Sequence, residues 1–150
     1  MAGYKDKKNF QPHDLTNLVV TLNGEYTASG IDSIAAEYDD DQFSFQSVGD
    51  GTAAPVRNPS RKGTITLAIL EADPTNKKLW DLHQASIDSG TPFSISAKDS
   101  GAPDFNIKET YAYIQKPPTE GRSAEIAVLE WVMVVGYLDV KGGGYALQDV

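Results

Sequence analysis

Three consecutive carboxylates, Asp39, Asp40 and Asp41, are the residues of this chain best placed to do chemistry, and a divalent cation is the first ligand to test against them. A calcium loop counted from Asp39 needs Asp or Asn at position 43, Gly at 44 and Glu at 50. The chain has Phe43, Ser44 and Asp50 there. The aspartates therefore read as a solvated turn, with a weakly held ion as the alternative. The two imidazoles add nothing: His83 lies on the apolar stripe of a helix with no second ligand four residues away, and His13 stands alone near the N-terminus. The absence of cysteine removes thiol nucleophiles, thiolate metal sites and disulfides together. There is no G-x-S-x-G and no phosphate-binding Walker loop, and Gly49-x-Gly51 lacks a third glycine and a following helix. An enzyme is not expected, and neither is a cofactor or a metal.

The elements that must hold these residues are strands. Asn23-Gly24 separates two runs of β-formers, about Asn17 to Leu22 and Glu25 to Ala28, and is the strongest short hairpin signal. SIAAEY and QFSFQSV are expected to form a second strand pair with the aspartates at the bend. Within it Phe43 and Phe45 would share a dry face, and Gln42, Ser44 and Gln46 a wet one. VGDGTAAPVRNPSRKG reads as a long loop with a short edge strand near Pro55. Strands then follow at Thr64 to Leu70, in PFSISA, in NIKETYAYIQ up to the stop at Pro117-Pro118, and in EIAVLEWVMVV, Glu125 to Val135. In that last strand both alternating faces are largely apolar, which implies a second covering layer, part of it from the single helix and the rest open to a neighbouring subunit.

One helix interrupts the strands. Asp73 reads as its N-cap, Pro74 as its first residue and Gly90 as its stop. Leu79, Leu82, His83 and Ile87 form its packing stripe. At 150 residues the chain fits a single domain, 1–150, with an N-terminal arm over about 1–14 and a Gly-rich tail over about 136–150 that is flexible unless a partner orders it. No secretory signal or membrane-length apolar run is visible, so synthesis in the cytosol and no membrane partner are expected. The expected fold class is mainly β, an antiparallel β-sandwich or barrel subunit with one flanking α-helix.

Charge is segregated. The net charge is 13 − 21 = −8, and from Asn9 to Val56 eight Asp or Glu residues stand without a single Lys or Arg. Such a surface repels nucleic-acid phosphate. Cations cluster instead at Lys5, Lys7 and Lys8 and at Arg57, Arg61 and Lys62, where they are expected to meet carboxylates of a neighbour. Trp80 and Trp131 leave a carbohydrate-binding module as a second class of function, although their places on the helix and in the most apolar strand fit packing.

Two long runs carry a resemblance. RKGTITLAILEADPTNKKLWDLHQA, with Lys62, Gly63 to Leu67 and Asp73-Pro74-Thr75-Asn76, and YIQKPPTEGRSAEIAVLEWVM, with Gln115 to Pro118 and Glu130-Trp131, resemble the tail tube proteins of tailed bacteriophages, most closely those of long contractile tails. The loop AAPVRNPSRKG and the Gly-rich tail depart from that pattern. The resemblance implies the tail-tube fold: subunits in hexameric rings that stack into a tube, their inner strands joined into one barrel around a channel for DNA delivery into the host. It implies as partners further copies of the chain, the tail sheath protein, a tape measure protein in the lumen, the baseplate hub and the tail terminator, and passing DNA bound without sequence specificity. The location implied is the virion tail, assembled in the host cytoplasm, with the tube of a phage-like bacteriocin or secretion system as the alternative. On that reading Glu37, Asp39, Asp41, Gln42, Ser44 and Gln46 are candidates to face the lumen. Lys5, Lys7, Lys8, Arg57, Arg61 and Lys62 are candidates for contacts between rings.

Overall fold

The computed structural model describes residues 9–10, 18–100, 105–121, 124–142 and 147–148. In chain order its elements are β1 (Asn9–Phe10), β2 (Leu18–Leu22), β3 (Tyr26–Thr27), β4 (Ile31–Tyr38), β5 (Phe43–Ser47), β6 (Ala53–Arg57), β7 (Gly63–Leu70), α1 (Thr75–Ser89), β8 (Phe93–Asp99), β9 (Asn106–Lys116), β10 (Val128–Val135), β11 (Val140–Lys141) and β12 (Leu147–Gln148). The protein is mainly β and antiparallel with one helix among the described residues. Neighbours in the main sheet run β3-β2-β8-β9-β10-β7-β4, with β11 added to β9. β5 with β6, and β1 with β12, form separate two-stranded pieces.

Local chemistry accounts for the turns. Asn23 and Gly24 take φ of 54° and 69°, the left-handed pair that a two-residue hairpin needs, and Glu25 N–H closes it on Leu22 O at 3.1 Å. Asn23 also accepts from Ser94 N–H through its side chain at 3.0 Å, which binds the turn to β8. Every second side chain of β7, β8 and β10 points into one core: Ile65, Leu67 and Ile69, then Phe93, Ile95 and Ala97, then Leu129, Trp131, Met133 and Val135 are buried. β2, β9 and α1 complete it with Val20, Leu22, Ile107, Ile114, Leu79 and Leu82.

The helix is held at its start. Pro74 already has helical dihedrals (φ −64°, ψ −13°), and the Asp73 carboxylate accepts from Thr75 N–H at 2.9 Å and from Ser29 Oγ at 2.9 Å. Asp73 is thus the cap in the sense expected, N-terminal to a proline at the first helical position. Asn76, buried, donates to Leu70 O at 2.8 Å and Asp73 O at 3.1 Å, and accepts the indole N–H of fully buried Trp131 at 3.0 Å. Gly90 ends the helix at φ 73°.

Three expectations need correction. β5 does not pair with β4: it turns forward onto β6, and β4 pairs with β7 instead. The reason lies in the turn Val48 to Thr52, where Gly51 has φ 89°, Val48 N–H reaches Thr52 O at 2.9 Å, and Asp50 accepts the Thr52 hydroxyl at 2.6 Å. Those Thr52 hydrogen bonds, the hydroxyl's and then the N–H's, hold the Asp50 carboxyl below its ordinary value. Pro55 tolerates this pairing because β6 is an edge strand. The tail after Gly136 is also not loose where it is described. Leu138 is buried over Gly63, and Val140 and Lys141 pair with Ile107 and Asn106. The strand expected from Glu125 starts only at Val128; within the subunit its second face is half open, with Val132 and Val134 half-buried and Val128 and Glu130 exposed.

Two outcomes test this account. A Cβ at Gly63 would lie 2.7 Å from Glu37 O and 2.5 Å from the Leu138 side chain, so Gly63→Ala is expected to destabilise the fold by about 1–3 kcal/mol in urea unfolding. Partial burial pushes the Asp73 carboxyl up, but hydrogen bonds from Thr75 and Ser29 outweigh it and hold the pKa below 3.8. A depressed folded pKa favours the ionised form, so its contribution is present above the unfolded pKa and fades as the pH falls through the folded one. Asp73→Ala is therefore expected to cost about 1 kcal/mol near neutral pH, and the gap to wild type should narrow in melts below pH 3.8.

Candidate functional site

Two surfaces stand out: the open face of β4, β7 and β10, and the hairpin β5–β6. Facing residues of β4 pair across as Glu37 with Thr64 and Ala35 with Thr66, and β7 continues to β10 as Thr64 with Val134, Thr66 with Val132 and Ala68 with Glu130. Cross-strand partners project to one side. Ser33, Ala35 and Glu37 of β4 therefore share a face with Thr64, Thr66, Glu130, Val132 and Val134. None of these three strands contains a Lys or Arg. Within these three strands the face is acidic and hydroxyl-bearing, Lys116 borders it as the β9 partner of Val132, and on the other side it ends at the outer edge of β4, which among the described residues pairs with β7 alone.

The three aspartates separate. Asp39 extends the ladder through its N–H to Lys62 O at 3.2 Å, while its carboxylate accepts from Thr64 Oγ1 at 2.7 Å on the open face. Asp40 lies 3.7 Å from Lys62 Nζ, and Asp41 is exposed. Each carboxylate thus has different surroundings. Of the residues picked from sequence for the lumen, Glu37 and Asp39 come together on the sheet. Ser44 and Gln46 lie out on the hairpin, and Gln42 sits half-buried at its base.

The hairpin projects from the sheet with both faces exposed. Phe43 and Phe45 are 74% and 75% exposed, so neither face is dry within one subunit. Sequence alternation marked the two phenylalanines as a pair but carried no information on what would cover them. The Gly49-Asp50-Gly51 turn was the signal available for the hairpin itself.

The basic residues are partly engaged inside the subunit. Arg61 is half-buried between the rings of Tyr38 and Tyr137, at 5.4 and 5.0 Å, and donates to Tyr38 Oη at 3.2 Å and Leu138 O at 3.4 Å. Lys62 faces Asp40, and Arg57 is exposed beside Phe43. Lys5, Lys7, Lys8 and His13 lie outside the described residues. On the helix Leu79 and Leu82 are buried and His83 is half-buried, its ring 6.1 Å from that of Trp80. The stripe stops before Ile87, which is 62% exposed: at about 100° per residue it lies roughly 140° round from Leu82. Trp80 packs edge-on to Trp131 at 5.5 Å and donates to Glu120 at 2.8 Å, so neither indole is an open stacking platform.

A family model described as the bacteriophage PhiTE tail tube protein matches residues 20–143. No curated protein matches the chain in sequence. Among solved structures, the sheath/tube terminator of the extracellular contractile injection system PVC in its extended state is similar at 17% identity and a TM-score of 0.56, over 88% of this chain and 98% of that one. The sheath-tube complex of the PVC system is similar at 17% and 0.54, over 87% and 91%. The cap that terminates the tube of the anti-feeding prophage is similar at 16% and 0.56, over 94% and 99%. At these identities the likeness is one of fold.

Arg61 is a structural clamp in this geometry, and a lysine cannot reproduce its planar stacking or its forked donors. Arg61→Lys is expected to lose about 1–2 kcal/mol of stability in urea unfolding and to speed amide exchange at Leu138, whose N–H is bonded to Arg61 O at 2.7 Å. Arg57→Lys should stay within about 0.5 kcal/mol of wild type.

Proposed function

The chain belongs to the bacteriophage PhiTE tail tube protein family, and from that premise we propose that it assembles as hexameric rings stacked into the tube of a contractile phage tail, the channel for DNA delivery into the host. It is a structural tail protein and not an enzyme. The observation that carries the reading is the acidic face of β4, β7 and β10, three strands without a Lys or Arg, lying against an edge of β4 that has no strand partner among the described residues.

This eight-residue edge, unpaired among the described residues, offers a row of backbone donors and acceptors that a neighbouring copy satisfies. Six such pairings around an axis close a ring, and the open face then becomes the wall of its channel. Glu37, Asp39 and Glu130 on that wall repel phosphate, while the Thr64 and Thr66 hydroxyls keep it wet; DNA passes without sticking. Asp41, Gln42, Ser44 and Gln46 continue the polar lining at the rim. Within this assembly the lumen holds a tape measure protein before DNA, the outer surface meets the sheath, and the ends meet the baseplate hub and the terminator. Its place is the virion tail, after assembly in the host cytoplasm.

Electron microscopy of the purified protein over a concentration series is expected to show stacked rings with a central channel; monomers at every concentration would overturn the reading. Glu37→Lys with Glu130→Lys reverses the charge of the proposed wall. Tubes of that variant are expected to retain DNA at low salt and release it as salt rises, unlike wild type. Reversed tubes that hold no more DNA than wild type would place this face away from the lumen.

A further inference from the structure

Arg57 and Arg61 line one open cavity of about 330 Å³, together with Gln42, Phe43, Asn58 and Pro59. Neither guanidinium forms an ion pair among the described residues. The Arg57 side chain has no hydrogen-bond partner there either. Arg61 donates only through Nη2, to Tyr38 Oη and Leu138 O, while its Nη1 has no acceptor and its Nε is buried without one. Two amides add donors to the same lining. Asn58 Oδ1 is taken by Ser60 N–H at 3.0 Å, and the Gln42 main-chain oxygen by Asn58 N–H at 2.8 Å, which leaves both side-chain NH2 groups unengaged. No carboxylate lines the cavity. Those closest in the chain are placed elsewhere: Asp39 accepts from Thr64, Asp40 faces Lys62, and Asp41 is exposed outside the lining.

Two cations that wall one cavity repel each other unless an anion stands between them. The form of the lining selects the anion. Donors reach it from four side chains on three segments, the residue before β5, the end of β6 and the loop before β7, which is more than the two oxygens of a carboxylate can serve. Phosphate oxygens can accept from all of them, and guanidinium groups match phosphate geometry with short, charge-assisted hydrogen bonds. The space equals that of about ten waters at roughly 30 Å³ each, more than a single phosphate fills. Phe43, 74% exposed and the cross-strand partner of Arg57, supplies an apolar wall on which a ring can stack. We propose that this cavity binds a small ligand with linked phosphates, of the pyrophosphate or nucleotide class, its oxygens held by Arg57, Arg61 and the Gln42 and Asn58 amides. The site is complete within one subunit, so it stands independently of the tube reading.

The full chain, kept below the concentration at which it assembles, is titrated by calorimetry with pyrophosphate, triphosphate, ATP, orthophosphate and adenosine in about 0.15 M salt. Saturable binding of pyrophosphate, triphosphate and ATP is expected, with orthophosphate at least about tenfold weaker and adenosine silent. Arg57→Ala, at an exposed position, should leave the melting temperature unchanged and weaken pyrophosphate at least about tenfold. Lys98→Ala, at an exposed position on β8, should change neither. Tighter binding of ATP than of triphosphate, with the gain lost in Phe43→Ser, would assign a nucleotide; equal affinities would assign the bare polyphosphate. Three results would each overturn the site: no saturable binding at this salt, orthophosphate bound as tightly as pyrophosphate, which means an adventitious ion only, or pyrophosphate affinity that survives Arg57→Ala.

Discussion

The hydrogen bond from the Trp131 indole to Asn76 inside the core is the contact on which the remaining architecture depends. A buried amide is costly unless its donors and acceptor are all used. Asn76 uses them on three elements at once: the end of β7, the start of α1 and the middle of β10. The helix is thereby fixed against one side of the sheet, with Leu79 and Leu82 pressed into the core and Trp80 packed edge-on to Trp131. With one helix committed to one side, the opposite face of β4, β7 and β10 has no cover from within the described subunit.

That one-sidedness leaves unfinished surfaces of three kinds. Among the described residues the outer edge of β4 carries ladder positions without a strand partner, the open face carries carboxylates and hydroxyls, and the hairpin carries two exposed phenylalanines. Exposed edges and apolar patches are liabilities for a monomer and ordinary features of a subunit. In the assembly proposed above, the ring and the stack would complete what the single chain begins.

Charge follows the same division. The acidic stretch and the basic loop, far apart in character along the sequence, meet at Lys62 and Asp40, an exposed pair of small energetic weight. Arg61 is different. Held between Tyr38 and Tyr137 and bonded to Leu138 O, it ties the end of β4 and the segment after β10 to the base of the hairpin. An arginine that sequence position alone marks for a partner is here largely occupied at home, and Arg57 is the cation left beside the hairpin's aromatic face.

Wherever the controlling interactions are local, the sequence by itself determined the structure. The Asn23-Gly24 turn, the Asp73-Pro74 helix start, the Gly90 stop and the core face of β7 each depend on dihedral preferences or period-two burial within a few residues. The acidity of one segment was equally legible. Pairing was not: β4 and β5 are adjacent in the chain and both alternate, yet β4 joins β7 and β5 joins β6, because the Val48–Thr52 turn and the burial of Ile65, Leu67 and Ile69 select those partners. Which face of a strand is dry was decided in the same way. Phe43 and Phe45 alternate as core residues do, but burial depends on what the rest of the chain brings within reach, and only the tertiary structure reveals that nothing within the described subunit buries them.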